Sequence, residues 1–311
     1  MELESGIESK LKKVRSGFCA ILGRPNVGKS TLLNYLIGRK IAITSPKPQT
    51  TREIITGIYH GENVQIAFLD TPGYHKAGKK LNRYMVSKAV STIMDADVVV
   101  IMTDPTSKFD EFSKRDSALE LAKNANEHGK SVIVVLNKTD INGKKSLMLP
   151  LMEKWMKVEG VKTVIPVSAQ TGEGVDILLK EIGEFLEEGI AYYPDDMDTD
   201  RGDEWISSEI IRESMIMLMK DELPYSIGTK IISVEHHDNG SMRMEADIFV
   251  ERSSQKAIII GAKGTMIKEI GERARKSLSV YFKKPVHLFL SVKVEPDWTD
   301  SSRGMTKLGY E

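Results

Sequence analysis

The 311-residue sequence predicts an α/β domain, with a mostly parallel sheet covered by helices on both faces, followed by a smaller α+β domain. Three observations carry this. From residue 18 to about 188, near-continuous apolar runs alternate with helical stretches, the pattern of strands buried on both faces. An acidic stretch interrupts that pattern at 189–204. Beyond Trp205 the order becomes helix, two strands, two helices and a strand. The length itself suits about two domains of ordinary size.

Composition sets the outer limits. With 41% apolar and 28% charged residues the chain can build a real core. Its 44 basic and 44 acidic residues cancel, so any nucleic-acid binding must come from a local patch. Cys19 is the one cysteine; an internal disulfide is excluded, a reducing compartment is expected, and the residue reads as core rather than nucleophile. Met1 to Ser16 is charged and lacks the apolar run of a signal peptide. No apolar run approaches the ~18–20 residues of a membrane span. The histidines show no metal-ligand spacing with cysteine.

The first element is an apolar strand, Phe18 to Leu22, leading into Gly23-Arg24-Pro25-Asn26-Val27-Gly28-Lys29-Ser30. A glycine, four residues and Gly-Lys-Ser is the phosphate-loop pattern. Thr31 to Ile37 continues as a helix that Gly38 stops. Strand, glycine-rich turn and helix start make backbone N–H groups and the helix dipole converge on one point, which suits an anion. Lys29 can then reach β- and γ-phosphate oxygens, and the Ser30 hydroxyl can ligate Mg²⁺.

Four further segments follow in the order that a guanine nucleotide site requires. In the loop from Lys47 to Arg52, Gln49-Thr50-Thr51-Arg52 offers a threonine for Mg²⁺ and the γ-phosphate; Thr51 is the choice and Thr50 the alternative. The strand Val64 to Leu69 ends at Asp70-Thr71-Pro72-Gly73, where Asp70 would hold Mg²⁺ through water or directly and the Gly73 N–H would sense the γ-phosphate. A helix from Leu81 to Met94, a strand from Val98 to Met102 and a helix from Asp116 to Glu127 follow. The strand Val132 to Leu136 ends at Asn137-Lys138-Thr139-Asp140. A carboxylate at Asp140 can accept from guanine N1 and N2, donors that adenine lacks. Lys138 would lie with its stem along the base. The strand Val164 to Val167 ends at Ser168-Ala169, whose backbone N–H would meet guanine O6. Each segment sits at a strand's carboxyl end, where ligands of such sheets bind.

These motifs resemble the translation-factor-related GTPases, and Thr51-Arg52 narrows the resemblance to the TrmE-Era-EngA-like group. It implies a P-loop GTPase domain that converts GTP to GDP and phosphate with Mg²⁺. Lys29, Thr51, Gly73 and Asn26 would serve catalysis. An asparagine at the position of Asn26 coordinates K⁺ in related GTPases; its other reading is a turn residue after proline. Where Ras-like proteins carry a water-orienting glutamine this chain has Tyr74, so slow intrinsic hydrolysis is expected.

The stretch 189–204 carries six acidic residues and one basic and reads as a linker. The second domain begins with an amphipathic helix, Ser207 to Lys220. Strands from Lys230 to Glu235 and Met242 to Val250 flank the turn-prone Asp238-Asn239-Gly240. A short helix ends at Ile260. Gly261-Ala262-Lys263-Gly264 follows, then a helix to about Leu278 and a strand from Val286 to Val294. From Lys256 to Lys284 eight residues are basic and two acidic, with Lys263, Lys268, Arg273, Arg275 and Lys276 around the turn and helix. The segment Ile258 to Ile270 resembles the core of a KH domain, whose Gly-x-x-Gly loop clamps about four nucleotides of single-stranded RNA; the element order resembles the type II variant.

A GTPase domain at 17–188, a linker at 189–204, a type II KH domain at 205–295 and a tail at 296–311 make the arrangement of the Era family, and the tail Trp298 to Tyr310 looks like that family's. The resemblance implies a monomeric cytoplasmic GTP switch that binds the 3′ end of 16S ribosomal RNA and acts in 30S subunit assembly, with peripheral membrane association. The alternatives are a membrane-surface switch without an essential RNA ligand, which would need an exposed basic amphipathic helix, and a tRNA-modification GTPase, which would need another catalytic domain.

Overall fold

In the computed structural model, residues 13–48, 50–73, 80–105, 117–141, 145–220 and 223–310 are described. The chain forms two compact units. The first comprises Met1–Ile41, Thr51–His75 and Val86–Asp200, the second Ala42–Thr50, Lys76–Met85 and Arg201–Glu311.

In the first unit, strands β1 (Val14–Gly23), β2 (Ile55–His60), β3 (Val64–Asp70), β4 (Val98–Thr103), β5 (Ser131–Leu136) and β6 (Val161–Pro166) lie in the order β2-β3-β1-β4-β5-β6, and β7 (Glu187–Gly189) pairs with β1. All pairs are parallel except β2–β3 and β1–β7. The apolar runs explain this burial: every residue of β4 is buried, and so are Val132 to Leu136. Helices α1 (Lys29–Ile37), α2 (Lys80–Asp95), α3 (Ser117–Glu127), α4 (Lys145–Met156) and α5 (Val175–Glu184) supply the crossovers. Register matters for function. Ile21 pairs with Asp70, Gly23 with Met102, Thr103 with Leu136, and Leu136 with Pro166. The carboxyl ends of β1, β3, β4, β5 and β6 therefore reach one edge of the sheet together.

One strand was not expected, and one expectation needs correction. Strand β2 had no sequence signal; its Gly57 breaks the apolar pattern because it packs where a Cβ would lie 2.6 Å from Leu33. The acidic stretch is no free linker up to Asp200. It covers the edge strand β2: Ile58 N donates to Asp198 O at 2.9 Å, Thr199 Oγ1 to Thr56 O at 2.6 Å, and Thr56 Oγ1 to Asp200 Oδ2 at 2.8 Å. Tyr193 exchanges two hydrogen bonds with the Gln65 side chain, and Tyr192 stacks on Phe18 at 5.5 Å. Edge strands need such cover, and acidic side chains facing water do not prevent the backbone from giving it. The first unit therefore runs to Asp200, beyond the expected boundary at 188.

The second unit opens with α6 (Asp203–Leu218) and the short α7 (Leu223–Ser226). Its sheet has the order β10-β9-β8, with β9 (Met242–Val250) antiparallel to β8 (Gly228–His236) and parallel to β10 (Val286–Val294). Helices α8 (Ser253–Ile260) and α9 (Thr265–Phe282) flank a tight turn at Ala262–Gly264. Ile210, Met215, Met244, Ile248, Ile259, Ile270, Ala274 and Leu278 form the core. Ala42–Thr50 belongs to this unit: Ile43 joins its core, Thr44 N donates to Glu213 Oε1 at 3.0 Å, and the fully buried Arg212 donates to the Thr50 carbonyl and the Glu209 carboxylate. The tail is ordered through α10 (Ser302–Lys307). Trp298 is fully buried, donates from Nε1 to Ser226 O at 2.8 Å and stacks on Tyr310. Among the described residues no helix is long and apolar enough to cross a membrane.

Candidate nucleotide and RNA sites

The turn between β1 and α1 is held in conformations that side chains resist. Asn26 has φ 63° and Gly28 φ 106°. Asparagine tolerates the left-handed region; Gly28 has a second constraint, since a Cβ there would lie 2.2 Å from Asn137 Nδ2. Val27 is buried, whereas Arg24 and Asn26 are exposed. The buried Lys29 folds back to donate to Gly23 O and Arg24 O, both at 3.3 Å. Burial pushes its ammonium down from the usual lysine value, and Asp70 opposes that shift. A buried cation among backbone carbonyls is ready for an anion of higher charge.

Asp70 ends β3 and is fully buried. Ser30 Oγ donates to Asp70 Oδ2 at 2.6 Å, and Thr51 Oγ1 lies 2.9 Å from Ser30 Oγ and 3.4 Å from Asp70 Oδ2. Thr50 points elsewhere, to Lys47 O at 2.7 Å and Ser45 Oγ at 2.6 Å. Of the two candidate threonines, only Thr51 joins the cluster. Burial pushes the Asp70 carboxyl up from the usual carboxylate value; Lys29 and the Ser30 and Thr51 hydroxyls pull the other way. Asp70 Oδ1 is buried without a hydrogen-bond partner among the described residues. Thr71 anchors the following loop by donating to Ile21 O at 2.9 Å. Gly73 is packed against Pro25, at 2.8 Å from where its Cβ would be. Tyr74 lies outside the described residues.

At the next strand end Asn137 ties three loops together. Its Nδ2 donates to Val27 O at 2.7 Å, and its Oδ1 accepts from Ala169 N at 2.9 Å. Lys138 has φ 71°, and its ammonium meets Asp104 Oδ2 at 3.0 Å. Thr139 Oγ1 donates to Glu173 Oε2 at 2.9 Å. Asp140 is exposed, and its Oδ1 accepts from the buried Ser168 at 2.7 Å. Gly23 to Ser30, Asp70 to Gly73, Asn137 to Asp140 and Ser168-Ala169 thus converge on one sheet edge, with Thr31 one step along α1. Asp104 and Glu173 were not singled out from sequence. Asp104 carried a usable signal, since it directly follows a buried strand whose neighbours all end in motifs.

In the second unit the two glycines of 261–264 act differently. Gly261 has φ 74°, and a Cβ there would lie 2.7 Å from Met266 Cβ. Gly264, at φ 77°, has open space where its Cβ would be and begins the 18-residue helix α9. Its backbone can therefore be approached closely from outside. Ala262 and Lys263 are exposed and Ile260 is half-buried. Helix α9 buries Ile270, Ala274 and Leu278 and exposes Lys268, Arg273, Arg275 and Lys276. At 100° per residue Lys268 and Arg275 share a face, with Lys276 about 80° and Arg273 about 140° around from Lys268. The basic residues thus wrap the outer half of the helix beside the turn. Lys268 is offset by Glu272 at 4.0 Å; the pair is solvent-exposed and worth little.

Cys19 is buried in β1, where burial pushes its thiol up and leaves it unreactive.

Comparison with known proteins finds two matching families along the chain. The family described as 50S ribosome-binding GTPase matches residues 18–138, and the KH domain family matches residues 222–299. GTPase Era of Syntrophus aciditrophicus is 42% identical over 297 residues, covering 95% of each chain. GTPase Era of Halothermothrix orenii is 42% identical over 301 residues, covering 96% of this chain and 99% of that one. A crystal structure of an Aquifex aeolicus Era variant bound to GDP·AlF4⁻ superposes with a TM-score of 0.89 at 39% identity, over 96% of this chain and 99% of that one. A structure of Era with MgGDPNP and nucleotides 1506–1542 of 16S ribosomal RNA matches at the same TM-score, identity and coverage.

Proposed function

The chain belongs to the Era family of GTPases, and from that premise we propose that it is a GTP-driven switch controlling the binding of single-stranded ribosomal RNA during assembly of the small ribosomal subunit. The observation that carries this reading is the pairing, on one chain, of a convergent nucleotide edge with an open Gly-x-x-Gly turn among exposed basic residues. The related Era seated on nucleotides 1506–1542 of 16S ribosomal RNA supports the 3′ end of that RNA as the ligand. The same reading puts the protein in the cytoplasm, where that RNA is found. A membrane-surface switch would need an exposed basic amphipathic helix; residues 1–12, at the N-terminus, lie outside the described residues.

In this reading Asp140 recognises the guanine edge, Lys138 lies along the base, and the Ser168-Ala169 loop lies at O6, its Ala169 N–H engaged by Asn137 Oδ1. The backbone of 23–30 and the Lys29 ammonium receive the phosphates. Mg²⁺ fits the cluster of Ser30, Thr51 and Asp70, because the buried Asp70 Oδ1 otherwise lacks a partner, a costly state for a carboxylate. The ion would supply positive charge between the β- and γ-phosphate oxygens. Thr51 and the Gly73 N–H report whether the γ-phosphate is present, so the segments that carry them reorganise on its loss.

The test is reciprocal. RNA must shift GTP affinity by the same factor by which GTP shifts RNA affinity. Measuring both constants with and without the other ligand is expected to show equal, non-unit factors. Two unchanged constants would mean that nucleotide and RNA bind independently, and the switch would be lost.

Hydrolysis without a water-orienting glutamine is expected at about 10⁻⁴ to 10⁻² per second. We assign to Asn26 a K⁺ ion that adds positive charge to the transition state. Replacing Na⁺ by K⁺ at constant ionic strength is then expected to raise the rate. Equal rates in the two salts would leave Asn26 with only its turn at φ 63°.

A further inference from the structure

We propose that Asp104 is a positioning residue for the base end of the nucleotide site. Its buried carboxylate grips the Lys138 ammonium, which holds the lysine stem flat for the guanine ring and keeps its charge away from Asp140. This rests on the reading of 137–140 as the guanine-recognition loop, and the test below separates the two.

The topology brings the pair together. Asp104 is the residue after β4, and Thr103 pairs with Leu136 at the end of β5. The Asn137 N–H donates to Thr103 O at 2.8 Å, so Asp104 and Lys138 leave their strands at the same level. Asp104 is 5% exposed. A carboxylate removed from water needs a cation or strong donors close by. Lys138 Nζ stands 3.0 Å from Asp104 Oδ2, with the lysine side chain 31% exposed.

The backbone of Lys138 gives the pair its purpose. Its φ of 71° is in the left-handed region, which a lysine seldom occupies. From that backbone the ammonium reaches Asp104, the residue after β4, and the ion pair holds it there. A free lysine has four rotatable bonds to order when a ligand arrives; an anchored one has been ordered beforehand, so less affinity is lost on binding. There is also a competition to prevent. Asp140, two residues on, has one oxygen occupied by Ser168 and must keep acceptor capacity for the base. An unanchored ammonium so near would be drawn to that carboxylate and would compete with the guanine N–H groups.

The experiment uses the full chain and a fluorescent GDP analogue, with affinity and dissociation rate as readouts. Asp104→Asn is expected to weaken binding about tenfold, chiefly through faster dissociation, as is usual for directly contacting partners. Lys138→Met is expected to lose at least as much. The double variant Asp104→Asn, Lys138→Met is expected to bind no worse than Lys138→Met alone, because the proposed effect of Asp104 on the nucleotide runs through the lysine. A general structural defect at Asp104 would instead multiply with the loss from Lys138→Met, and that outcome overturns the proposal. So does wild-type affinity in Asp104→Asn. If Asp104→Asn fails to fold, the lysine variant decides: Lys138→Met binding as tightly as wild type overturns the proposal. Failure of the underlying reading looks different, since then Asp140→Asn would leave GDP affinity intact.

Discussion

Asp140→Asn is expected to weaken GTP binding by about 2–4 kcal/mol, because an amide donor would then face guanine donors. Asp140 is exposed at the sheet edge with one carboxylate oxygen engaged by Ser168. Since an asparagine Oδ1 can still accept from Ser168, the loss is expected in binding rather than in thermal stability. Xanthosine triphosphate presents a carbonyl where guanine has its amino group, so it is expected to bind the variant better than it binds wild type. Titration of both nucleotides against both proteins checks this. Unchanged GTP affinity in the variant would remove base recognition from this loop.

Placing aspartates at Ala262 and Lys263 is expected to abolish most RNA affinity and leave nucleotide binding intact. Both residues are exposed, and both flanking glycines keep the backbone freedom that φ values of 74° and 77° demand. The substitutions remove one positive charge and add two negative ones beside the open backbone of Gly264. Each RNA phosphate that the variant no longer neutralises also flattens the salt dependence, by a slope of about 0.7 for single strands. Anisotropy titrations at several salt concentrations, with single-stranded and duplex RNA, are the measurement. Single strands are expected to bind better, since the bases must be free. Wild-type affinity and salt slope in the double variant would make the second unit a protein-interaction module instead.

Much of the site was legible because phosphate and guanine chemistry constrains adjacent residues. Lys29 and Ser30 follow a glycine that nothing else could replace. Asp70 and Asp140 each stand at or just beyond a strand whose apolar run is plain in the sequence. What stayed hidden were meetings between residues far apart in the chain. Nothing near Asp104 names Lys138 as its partner, since the meeting depends on the register of β4 against β5. The same holds for the stretch before Asp200. Its acidic composition is that of a linker, yet its backbone bonds to β2 through Asp198 and Thr199, and β2 itself carried too weak a pattern to be recognised. The choice between Thr50 and Thr51 was likewise open until Ser45 and Lys47 were seen to occupy the former. In the second unit strand and helix periods were strong, and Met242–Val250 and Val286–Val294 fall at the expected residues.

The side chain of Asn137 has a consequence for affinity as a whole. It bonds the phosphate loop at Val27 and the Ala169 N–H with one amide group. Both ends of the nucleotide therefore meet a single rigid jaw rather than two independent loops. Such a site behaves as a chelator. Once the phosphates are seated, the guanine ring is delivered to its loop at a high effective concentration, so the intact nucleotide binds far more tightly than guanosine and a free polyphosphate would separately. On the proposed reading, nucleotide retention would depend on this one amide link as well as on contacts with the ligand, and loosening the link is expected to speed exchange.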